Sequence, residues 1–353
     1  MVDSCGDAIG RPLIVPLFIP HMGCPHRCIF CNQHAITGQS HQALSPDRIQ
    51  AEVTCFLRYA KKQPAFTQIS FFGGNFLGLG KATIRSLLET ANAFVQSGRV
   101  DSIRFSTRPD TVEPATLDLL AGFPVSTVEL GVQSMRDRIL DIADRGHRAA
   151  DTVSAVNLLK ARGYQVGLQM MVGLPGDDNA GAMETARRIV ALQPDFVRIY
   201  PTLVLKGSPL SQWHHTGRYR PMALEPCIEL VKQLYLYFKS SRIAVVRMGL
   251  QASDGLHAGE CLIAGPYHPA FGHLVLADIV QDAISSALNR MAPTPDRLTV
   301  QAHPKMVSRV QGLNKANIHH IQQTYGLADV CLVQDPSLPL DRLVVDGHRV
   351  ILP

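Results

Sequence analysis

The sequence predicts an α/β protein built on a partial or full (β/α) TIM-type barrel, followed by a small C-terminal α/β appendage. Two observations predict the barrel. Strand-like and helical segments alternate from Leu13 to Gly249, and five successive predicted strand ends carry glycine or proline beside polar residues. Such alternation builds a parallel sheet with right-handed crossovers. In barrels of this kind the chemistry lies at the carboxyl ends of the strands.

Seven segments of the barrel are predicted as strands. Each is rich in β-branched or aromatic residues and is bounded by residues that favour turns. The predicted strands are Leu13–Ile19, Thr67–Phe72, Ser102–Ser106, Thr127–Gly131, Gln165–Val172, Phe196–Tyr200 and Ile243–Gly249.

Helical patterns fill the intervals between these strands. Ser45 is suited to cap a helix that begins at Pro46 and runs to about Ala60, since proline is favoured in the first turn. A second helix is predicted over Lys81–Gln96. A third is predicted over Asp151–Arg162, where apolar residues recur at helical spacing.

The pattern divides the chain into three parts. Residues 1–12 form an N-terminal tail, residues 13–292 form the barrel with a substrate loop, and residues 293–353 form the appendage. The appendage is predicted to contain a strand at Asp296–Ala302, a helix at Lys315–Tyr325, and one or two strands over Arg342–Leu352 around Asp346 and Gly347.

Composition and charge narrow the class of protein. Hydrophobic residues make up 46% and charged residues 18%, which excludes a disordered chain and a coiled coil. The net charge of +5 permits an anionic partner but lacks the density of a nucleic-acid-binding arm. No apolar run approaches the ~20 residues that span a bilayer, because the nearest candidate, Leu13–Pro20, is short and interrupted by Pro16. We therefore expect a cytoplasmic protein without membrane contact.

Three of the eight cysteines are clustered just after the first predicted strand. Cys24, Cys28 and Cys31 have the spacing C-x3-C-x2-C, and three thiolates so close in sequence can converge on one metal centre. The favoured interpretation is a [4Fe–4S] cluster with one iron open to an external ligand. One alternative is a zinc site completed by a histidine, and another is three reduced cysteines that bind nothing. The zinc site would take its fourth ligand from His21, His26 or His34.

The other five cysteines show no ligand pattern. They contain no second C-x2-C pair, so we expect no auxiliary cluster. They are Cys5, Cys55, Cys227, Cys261 and Cys331.

The motif C-x3-C-x-aromatic-C on the loop after the first barrel strand resembles the signature of the radical S-adenosylmethionine (radical SAM) superfamily. The resemblance implies that Cys24, Cys28 and Cys31 hold a [4Fe–4S] cluster whose open iron binds the amino and carboxylate groups of S-adenosylmethionine. It also implies reductive cleavage of that cofactor to a 5′-deoxyadenosyl radical. The electron would come from an external donor, flavodoxin-like or ferredoxin-like.

The same resemblance implies which residues contact S-adenosylmethionine. Phe30 matches the aromatic residue that packs on adenine in the family. Gly73, Gly74 and Asn75 match a GGE motif whose backbone binds the methionine amino group, with Asn75 in place of the commoner Glu or Thr. The remaining implied contacts are Ser106, where Glu is common, Gln133 and Gln169 near ribose, Arg145 on the carboxylate, and Gly173 near adenine.

Longer strings resemble the radical SAM half of Elongator catalytic subunits, which modify wobble uridine in tRNA. The strings are Val128–Ser134, Arg145–His147, Met170–Gly176 and Arg198–Val204, and the resemblance covers roughly residues 12–250. They are shared more loosely with oxygen-independent coproporphyrinogen oxidase-like proteins. Because 353 residues hold the barrel and a small appendage but not the Elongator acetyltransferase domain, we expect a stand-alone relative.

The segment Gln251–Val275 has no match to these families and is expected to form a loop at the barrel mouth. Within it, Cys261, Tyr267 and His268 are candidate proton or hydrogen-atom donors, and an ordinary structured loop is the alternative. The favoured substrate is tRNA, because the strings resemble Elongator catalytic subunits and the net charge is positive. The alternatives are a small metabolite, including a tetrapyrrole, and a non-catalytic cluster-binding protein.

Overall fold

The structure is a computed structural model that describes residues 12–19, 21–33, 44–59, 64–250, 256, 260–291 and 296–353. Two compact units divide the chain. The first unit extends to Ala223 and also contains Tyr237–Tyr267, and the second contains Leu224–Leu236 and His268–Pro353.

Seven parallel strands in one sheet form the framework of the first unit. Their order is β1-β2-β3-β4-β5-β6-β8, so the sheet follows the chain and curls as a half barrel that ends at β1 and β8. The predicted α/β barrel fold is confirmed, in its partial form, and each predicted strand lies within two residues of an observed one. The strands are β1 (Leu13–Phe18), β2 (Thr67–Phe72), β3 (Ser102–Thr107), β4 (Val125–Gln133), β5 (Gln165–Val172), β6 (Phe196–Pro201) and β8 (Ala244–Met248).

Two further short strands form a ribbon in the same unit. Strand β7 (Val204–Leu205) follows β6 directly and pairs antiparallel with β9 (Leu262–Ala264). The ribbon therefore begins at the carboxyl end of β6, which is the end of the sheet where a barrel places its chemistry.

Helices connect the parallel strands, as the alternation predicts. Helix α1 begins after Ser45, whose hydroxyl accepts a hydrogen bond from the Arg48 amide at 3.3 Å, which confirms the predicted cap. Helix α2 has the predicted bounds, and α5 begins two residues before the predicted start. The helices are α1 (Pro46–Arg58), α2 (Lys81–Gln96), α3 (Pro114–Leu120), α4 (Asp137–Ile142), α5 (Ala149–Ala161), α6 (Asn179–Ala191), α7 (Pro209–His215) and α8 (Leu224–Ser240).

The two faces of the seven-stranded sheet differ in polarity, because successive side chains of a strand point to opposite faces. One face is apolar and carries buried residues such as Phe71 and Phe105, which stack on Phe76 with centroid distances of 5.0 and 4.5 Å. The other, here named the polar face, carries Gln68, Ser70, Arg104, Ser106, Glu129, Gln169, Arg198, Tyr200 and Arg247.

The second unit is a four-stranded sheet with helices. Its strands are β10 (Arg297–Ala302), β11 (Asp329–Gln334), β12 (Arg342–Val345) and β13 (His348–Ile351), in the order β11-β10-β12-β13, and its later helices are α9 (Phe271–Leu288), α10 (Val307–Gln311) and α11 (Ala316–Tyr325). The predicted strand, helix and hairpin of the appendage are confirmed, whereas β11 and α10 went unpredicted.

Helix α9 belongs to the core of this second unit. Its residues Val280, Ile284 and Leu288 are buried in one cluster with Leu298 and Val300 of β10. The contacts thus group α9 with the C-terminal strands, while the domain boundary expected at residue 293 stays a prediction. Among the helices that the structure describes, none combines the length and the apolar character needed to cross a bilayer.

Candidate active site at the cysteine loop

The loop that follows β1, here named the cysteine loop (residues 21–33), brings the three predicted cluster ligands together. Cys28 is buried, and Cys24 and Cys31 are half-buried. Burial, followed by repulsion from the other two cysteines, raises the pKa of the Cys31 thiol to about 12. Burial likewise raises the pKa of Cys24, which Arg145 opposes. The three sulfurs therefore lie close enough to affect one another's charge, in a loop that is buried at Cys28 and half-buried at Cys24 and Cys31.

Gln33 ties both ends of the cysteine loop to strand β2. Its side-chain oxygen accepts a hydrogen bond from the His21 amide, and its side-chain nitrogen donates to the Gly73 carbonyl. The Gln33 amide donates to His21 Nε2 at 2.9 Å. The loop therefore closes on itself beside the end of β2.

Asn75 fixes the same loop to strand β3. Its side chain is fully buried, and its Nδ2 donates to the Gly23 carbonyl at 2.8 Å. Its Oδ1 accepts from Thr107 Oγ1 at 2.7 Å, the Arg108 amide at 3.0 Å and Thr111 Oγ1 at 2.9 Å. This carboxamide is occupied within the protein, so it acts as a brace between the cysteine loop and the end of β3.

The glycines after β2 allow two segments of backbone to meet. A Cβ on Gly74 would lie 2.3 Å from the Ile19 carbonyl oxygen and 2.5 Å from the Met22 carbonyl oxygen. Gly73 has a φ of +98°, a conformation that glycine adopts without a steric penalty. A side chain at Gly74 would therefore collide with the backbone around the cysteine loop. The expected role of Gly73 and Gly74 in binding the methionine amino group stays a prediction.

Arg145 lies against the cysteine loop and is almost fully buried. Its Nη1 donates to Cys28 Sγ at 3.4 Å, and its Nη2 donates to the Gly131 carbonyl at 2.7 Å. The next residue, Gly146, has a φ of +74°, and a Cβ there would lie 2.2 Å from the His26 ring. The guanidinium predicted to bind the methionine carboxylate thus stands beside a predicted cluster ligand.

Gln133 and Gln169 are joined to each other at the carboxyl ends of β4 and β5. Gln169 Nε2 donates to Gln133 Oε1 at 3.3 Å. Gln133 has a φ of +65° where the register between β4 and β5 shifts, which is a strained conformation for a residue with a side chain. Strained conformations of this kind are found mainly at functional sites. Here the strained residue is hydrogen-bonded to the other predicted ribose contact, at the carboxyl ends of β4 and β5.

Phe30 connects the cysteine loop to the end of β5. It packs against a cluster of Ile139, Met171 and Leu174. Leu174 directly follows Gly173, the predicted adenine contact. The Gly173 carbonyl accepts a hydrogen bond from the Tyr219 hydroxyl at 2.7 Å. Ser106 lies half-buried on the polar face of the sheet, one residue before Thr107.

Several buried polar atoms around Arg145 have no partner within the described part of the chain. They are Arg145 Nε, Arg108 Nη1 and both ring nitrogens of His147. Arg108 is otherwise paired, to Asp110 at 2.8 Å and to the Arg145 carbonyl at 2.6 Å. Burial, and then the Arg145 charge, lowers the pKa of His147 to about 3, so its ring is neutral at neutral pH.

These groups fit a [4Fe–4S] cluster with S-adenosylmethionine. Buried donors are rarely left without a partner, so orphaned guanidinium nitrogens beside three thiols indicate an anionic group in the functional molecule. Within the described ranges, no group of three or more His, Cys, Asp or Glu is arranged around a single metal ion. A four-iron cluster takes each thiolate on a different iron. Cys5 and His34 lie outside the described residues.

The segment predicted as one loop after β8 is partly regular structure. Strand β9 lies within it, because Leu262 and Ala264 pair with Leu205 and Val204. The Lys206 amide donates to the Cys261 carbonyl at 2.8 Å. His273 lies in α9, so placing it in the loop was wrong. Residues 251–255 and 257–259 lie outside the described ranges.

The three candidate donors of that segment lie in different settings. Cys261 is half-buried at the start of β9. The Tyr267 hydroxyl is buried with no hydrogen-bond partner among the described residues, and its ring packs against Leu203, Leu205 and Leu256. His268 begins the second unit, and its Nδ1 accepts from the Ala270 amide at 3.0 Å.

A packed apolar cluster connects the ribbon to the cysteine loop. Ile29 is buried together with Val204 and Leu210, and Ala264 of β9 packs against the same cluster. The Leu210 amide also donates to the Ile29 carbonyl at 2.8 Å. The strand that follows Cys261 therefore lies beside the cysteine loop.

Comparison with known families gives this geometry its context. The model of the radical SAM superfamily matches residues 18–189, and that of the radical SAM C-terminal domain matches residues 194–281. The chain belongs to the radical SAM superfamily. Radical SAM proteins are enzymes that use a [4Fe–4S] cluster and S-adenosylmethionine, and they need an external electron donor. The predicted superfamily and its two cofactors are therefore confirmed.

The chain is similar to curated radical SAM relatives over part of their length. It is 29% identical over 232 residues to a tRNA uridine(34) acetyltransferase of Dehalococcoides mccartyi, covering 56% of this chain and 50% of that protein. It is 31% identical over 220 residues to an uncharacterised protein of Methanocaldococcus jannaschii, covering 60% of this chain and 67% of that protein. The chain thus spans half the length of the first of these relatives.

A solved structure shows the same fold. Archaeal Methanocaldococcus infernus Elp3 with an N-terminal deletion aligns with a TM-score of 0.60 and 20% identity, covering 78% of this chain and 64% of that one. This similarity supports the half-barrel architecture.

The braces of the site were not predicted from the sequence. Gln33 and Asn75 hold the cysteine loop, and Arg108 and His147 line it. Arg108 follows a predicted strand end, and His147 lies in one of the strings that resemble the Elongator radical SAM half, and these were the available signals. Nothing local marks Gln33, because its partners lie on another strand.

A substitution at Gly74 tests the close approach of backbone at the site. In Gly74→Ala, the new Cβ would overlap the Ile19 and Met22 carbonyls, so the cysteine loop must shift. We expect affinity for S-adenosylmethionine to fall about tenfold or more, since about 1.4 kcal/mol of lost contacts suffices. Calorimetric titration of the anaerobically reconstituted protein measures the affinity.

Gly122→Ala is the matched control, because a Cβ at Gly122 meets nothing within 4 Å. Its affinity should equal that of the wild type. Wild-type affinity in Gly74→Ala would show that the backbone approach does not matter for binding.

Proposed function

We propose that this radical SAM enzyme cleaves S-adenosylmethionine reductively and uses the resulting 5′-deoxyadenosyl radical to modify tRNA. The observation that carries the proposal is the contact of Arg145 with Cys28, beside guanidinium donors that have no partner among the described residues. A buried cation next to a thiol is suited to hold an anionic cluster and a carboxylate in one place.

The residues of this chain would bind and orient both cofactors. When bound, the cluster and S-adenosylmethionine supply the electron transfer and the carbon-centred radical. Cys24, Cys28 and Cys31 would each hold one iron, and the free donor of Arg145 would bind the methionine carboxylate. The backbone at Gly73 and Gly74 would receive the methionine amino group.

The nucleoside end of the cofactor would lie along the ends of β4 and β5. Gln133 and Gln169, already joined by a hydrogen bond, would face the ribose, with Ser106 nearby on the polar face. Phe30 would cover adenine beside Gly173. Asn75 contributes by keeping the cysteine loop in place, since its side chain is fully engaged within the protein.

Among the candidate donors, Tyr267 has the most direct support. Its hydroxyl is buried without a partner in the described part of the chain, and such a group is available to a substrate. Cys261, held beside Lys206, is the second candidate, and His268 is the third. Each would return a proton or hydrogen atom to the substrate after the radical has acted.

Similarity to relatives supports tRNA as the substrate class. The relative from Dehalococcoides mccartyi is named for tRNA uridine(34), and the net charge of +5 suits a polyanion. We further propose a flavodoxin-like or ferredoxin-like electron donor and a cytoplasmic location, where tRNA is modified.

Loss of one cluster ligand tests the radical chemistry. We expect Cys28→Ala to form no 5′-deoxyadenosine above background after anaerobic reconstitution and reduction, because two thiolates cannot hold the cluster. Liquid chromatography of the product measures this. Cys55→Ala removes an exposed thiol on α1 and serves as the control with wild-type turnover. Equal product from Cys28→Ala and the wild type would refute the cluster assignment.

Comparison of tRNA nucleosides tests the substrate. Cells that lack the gene should lose one modified nucleoside, or accumulate its precursor, in total tRNA analysed by mass spectrometry. The nucleoside should return with the wild-type gene but not with Cys28→Ala. An unchanged nucleoside profile would favour a small molecule as the substrate instead.

A further inference from the structure

The polar face of the sheet carries more positive than negative charge. Glu129 of β4 is buried between two guanidiniums. It pairs with Arg104 of β3 through Oε1, and with Arg198 of β6 through Oε2 at 2.5 Å and Oε1 at 3.2 Å. Both of its oxygens are therefore occupied.

Arg247 of β8 adds a third guanidinium without a matching acid. Its Nε donates to the Gly249 carbonyl at 3.2 Å, and no described carboxylate lies within 4 Å of it. It is the register partner of Arg198 on the neighbouring strand. Burial lowers the pKa of Arg247, and the neighbouring charge of Arg198 acts in the same direction.

Among the described residues, three guanidiniums against one carboxylate leave this part of the polar face with two excess positive charges. Guanidinium groups keep their charge when buried, so the imbalance cannot be removed by losing a proton. Arg104 is buried, the Arg198 side chain is 15% exposed and Arg247 is half-buried. Excess charge that is only partly hydrated is costly, and a bound anion reduces that cost. A phosphate group offers negative charge, and its oxygens match the guanidinium fork.

Arg198 and Arg247 lie near the residues expected to bind the cofactor, at a distance that suits a substrate. Gly131, Gln169, Arg198 and Arg247 form one row across β4, β5, β6 and β8. Gln169 is joined to Gln133, the other expected ribose contact. Strands are about 4.8 Å apart, so Arg247 lies about 10 Å along the row from Gln169. That distance leaves room for the reacting part of a substrate between its phosphate and the cofactor.

We propose that Arg198 and Arg247 bind a phosphate group of the substrate at the β8 end of the polar face. This inference rests on the proposed function, because the site would orient the molecule that the radical attacks. Arg247 lies on β8, the last strand of the seven-stranded sheet. Arg247 would serve phosphate binding alone, whereas Arg198 also pairs with Glu129.

Phosphate binding by variants tests the site. Inorganic phosphate is titrated at low ionic strength into the reconstituted protein in a calorimeter. Arg247→Gln should weaken binding about tenfold, equivalent to about 1.4 kcal/mol. Arg247→Lys keeps the charge without the fork and should give an intermediate affinity, which separates a lost ligand from a folding defect.

Arg187→Gln is the matched control, since it removes the same charge from an exposed position on α6. It should bind phosphate as the wild type does. Wild-type affinity in Arg247→Gln, or equal weakening in both glutamine variants, would overturn the proposal.

Competition identifies the source of the phosphate. Displacement of phosphate by a short oligoribonucleotide assigns the site to the backbone of RNA. Displacement only by a nucleoside monophosphate assigns it to a small ester, and displacement by neither overturns the site. Phosphate binding needs no radical chemistry, so a protein that forms no 5′-deoxyadenosine but binds phosphate through Arg247 would refute the function and leave the site intact.

Discussion

The buried carboxamide of Asn75 is the interaction on which the site depends most. The cysteine loop that it supports lacks strand and helix hydrogen bonds of its own, so side chains must fix it. Asn75 joins the Gly23 carbonyl to three donors at the end of β3, and Gln33 joins the two ends of the loop to β2. Each such bond contributes about 1 kcal/mol, but leaving its buried partner unsatisfied costs more. The loop is thereby held in shape before any cofactor binds.

Buried arginine serves two purposes along the same sheet. Beside the cysteine loop, Arg145 and Arg108 leave guanidinium nitrogens without partners, where the cluster and the methionine carboxylate are expected. On β6, Arg198 shares Glu129 with Arg104, and on β8 the half-buried Arg247 has no described carboxylate within 4 Å, where the phosphate of a substrate is proposed. Arginine suits both places because it remains charged when buried. On these proposals, the cofactor and the phosphate of the substrate would lie along different strands of one sheet.

The strands and the cluster ligands were predictable because their signals are local. β-Branched or aromatic residues bounded by turn residues mark β2 and β5, and the spacing of Cys24, Cys28 and Cys31 marks the metal site. The polar braces were not predictable, because Asn75 and Gln33 draw their partners from distant segments. Strand β9 was expected as part of a loop for the same reason, since it exists only through its pairing with β7. The charge imbalance at Arg247 emerges only when the register places it beside Arg198.

The central claim is that three cysteines hold a cluster whose fourth iron binds S-adenosylmethionine. Electron–nuclear double resonance on the reduced, reconstituted protein with ¹⁵N-amino-labelled S-adenosylmethionine tests this directly. A hyperfine coupling of the cluster spin to the labelled nitrogen is the predicted result. A reduced cluster that shows no such coupling, with a spectrum unchanged by a saturating amount of the cofactor, would contradict the account.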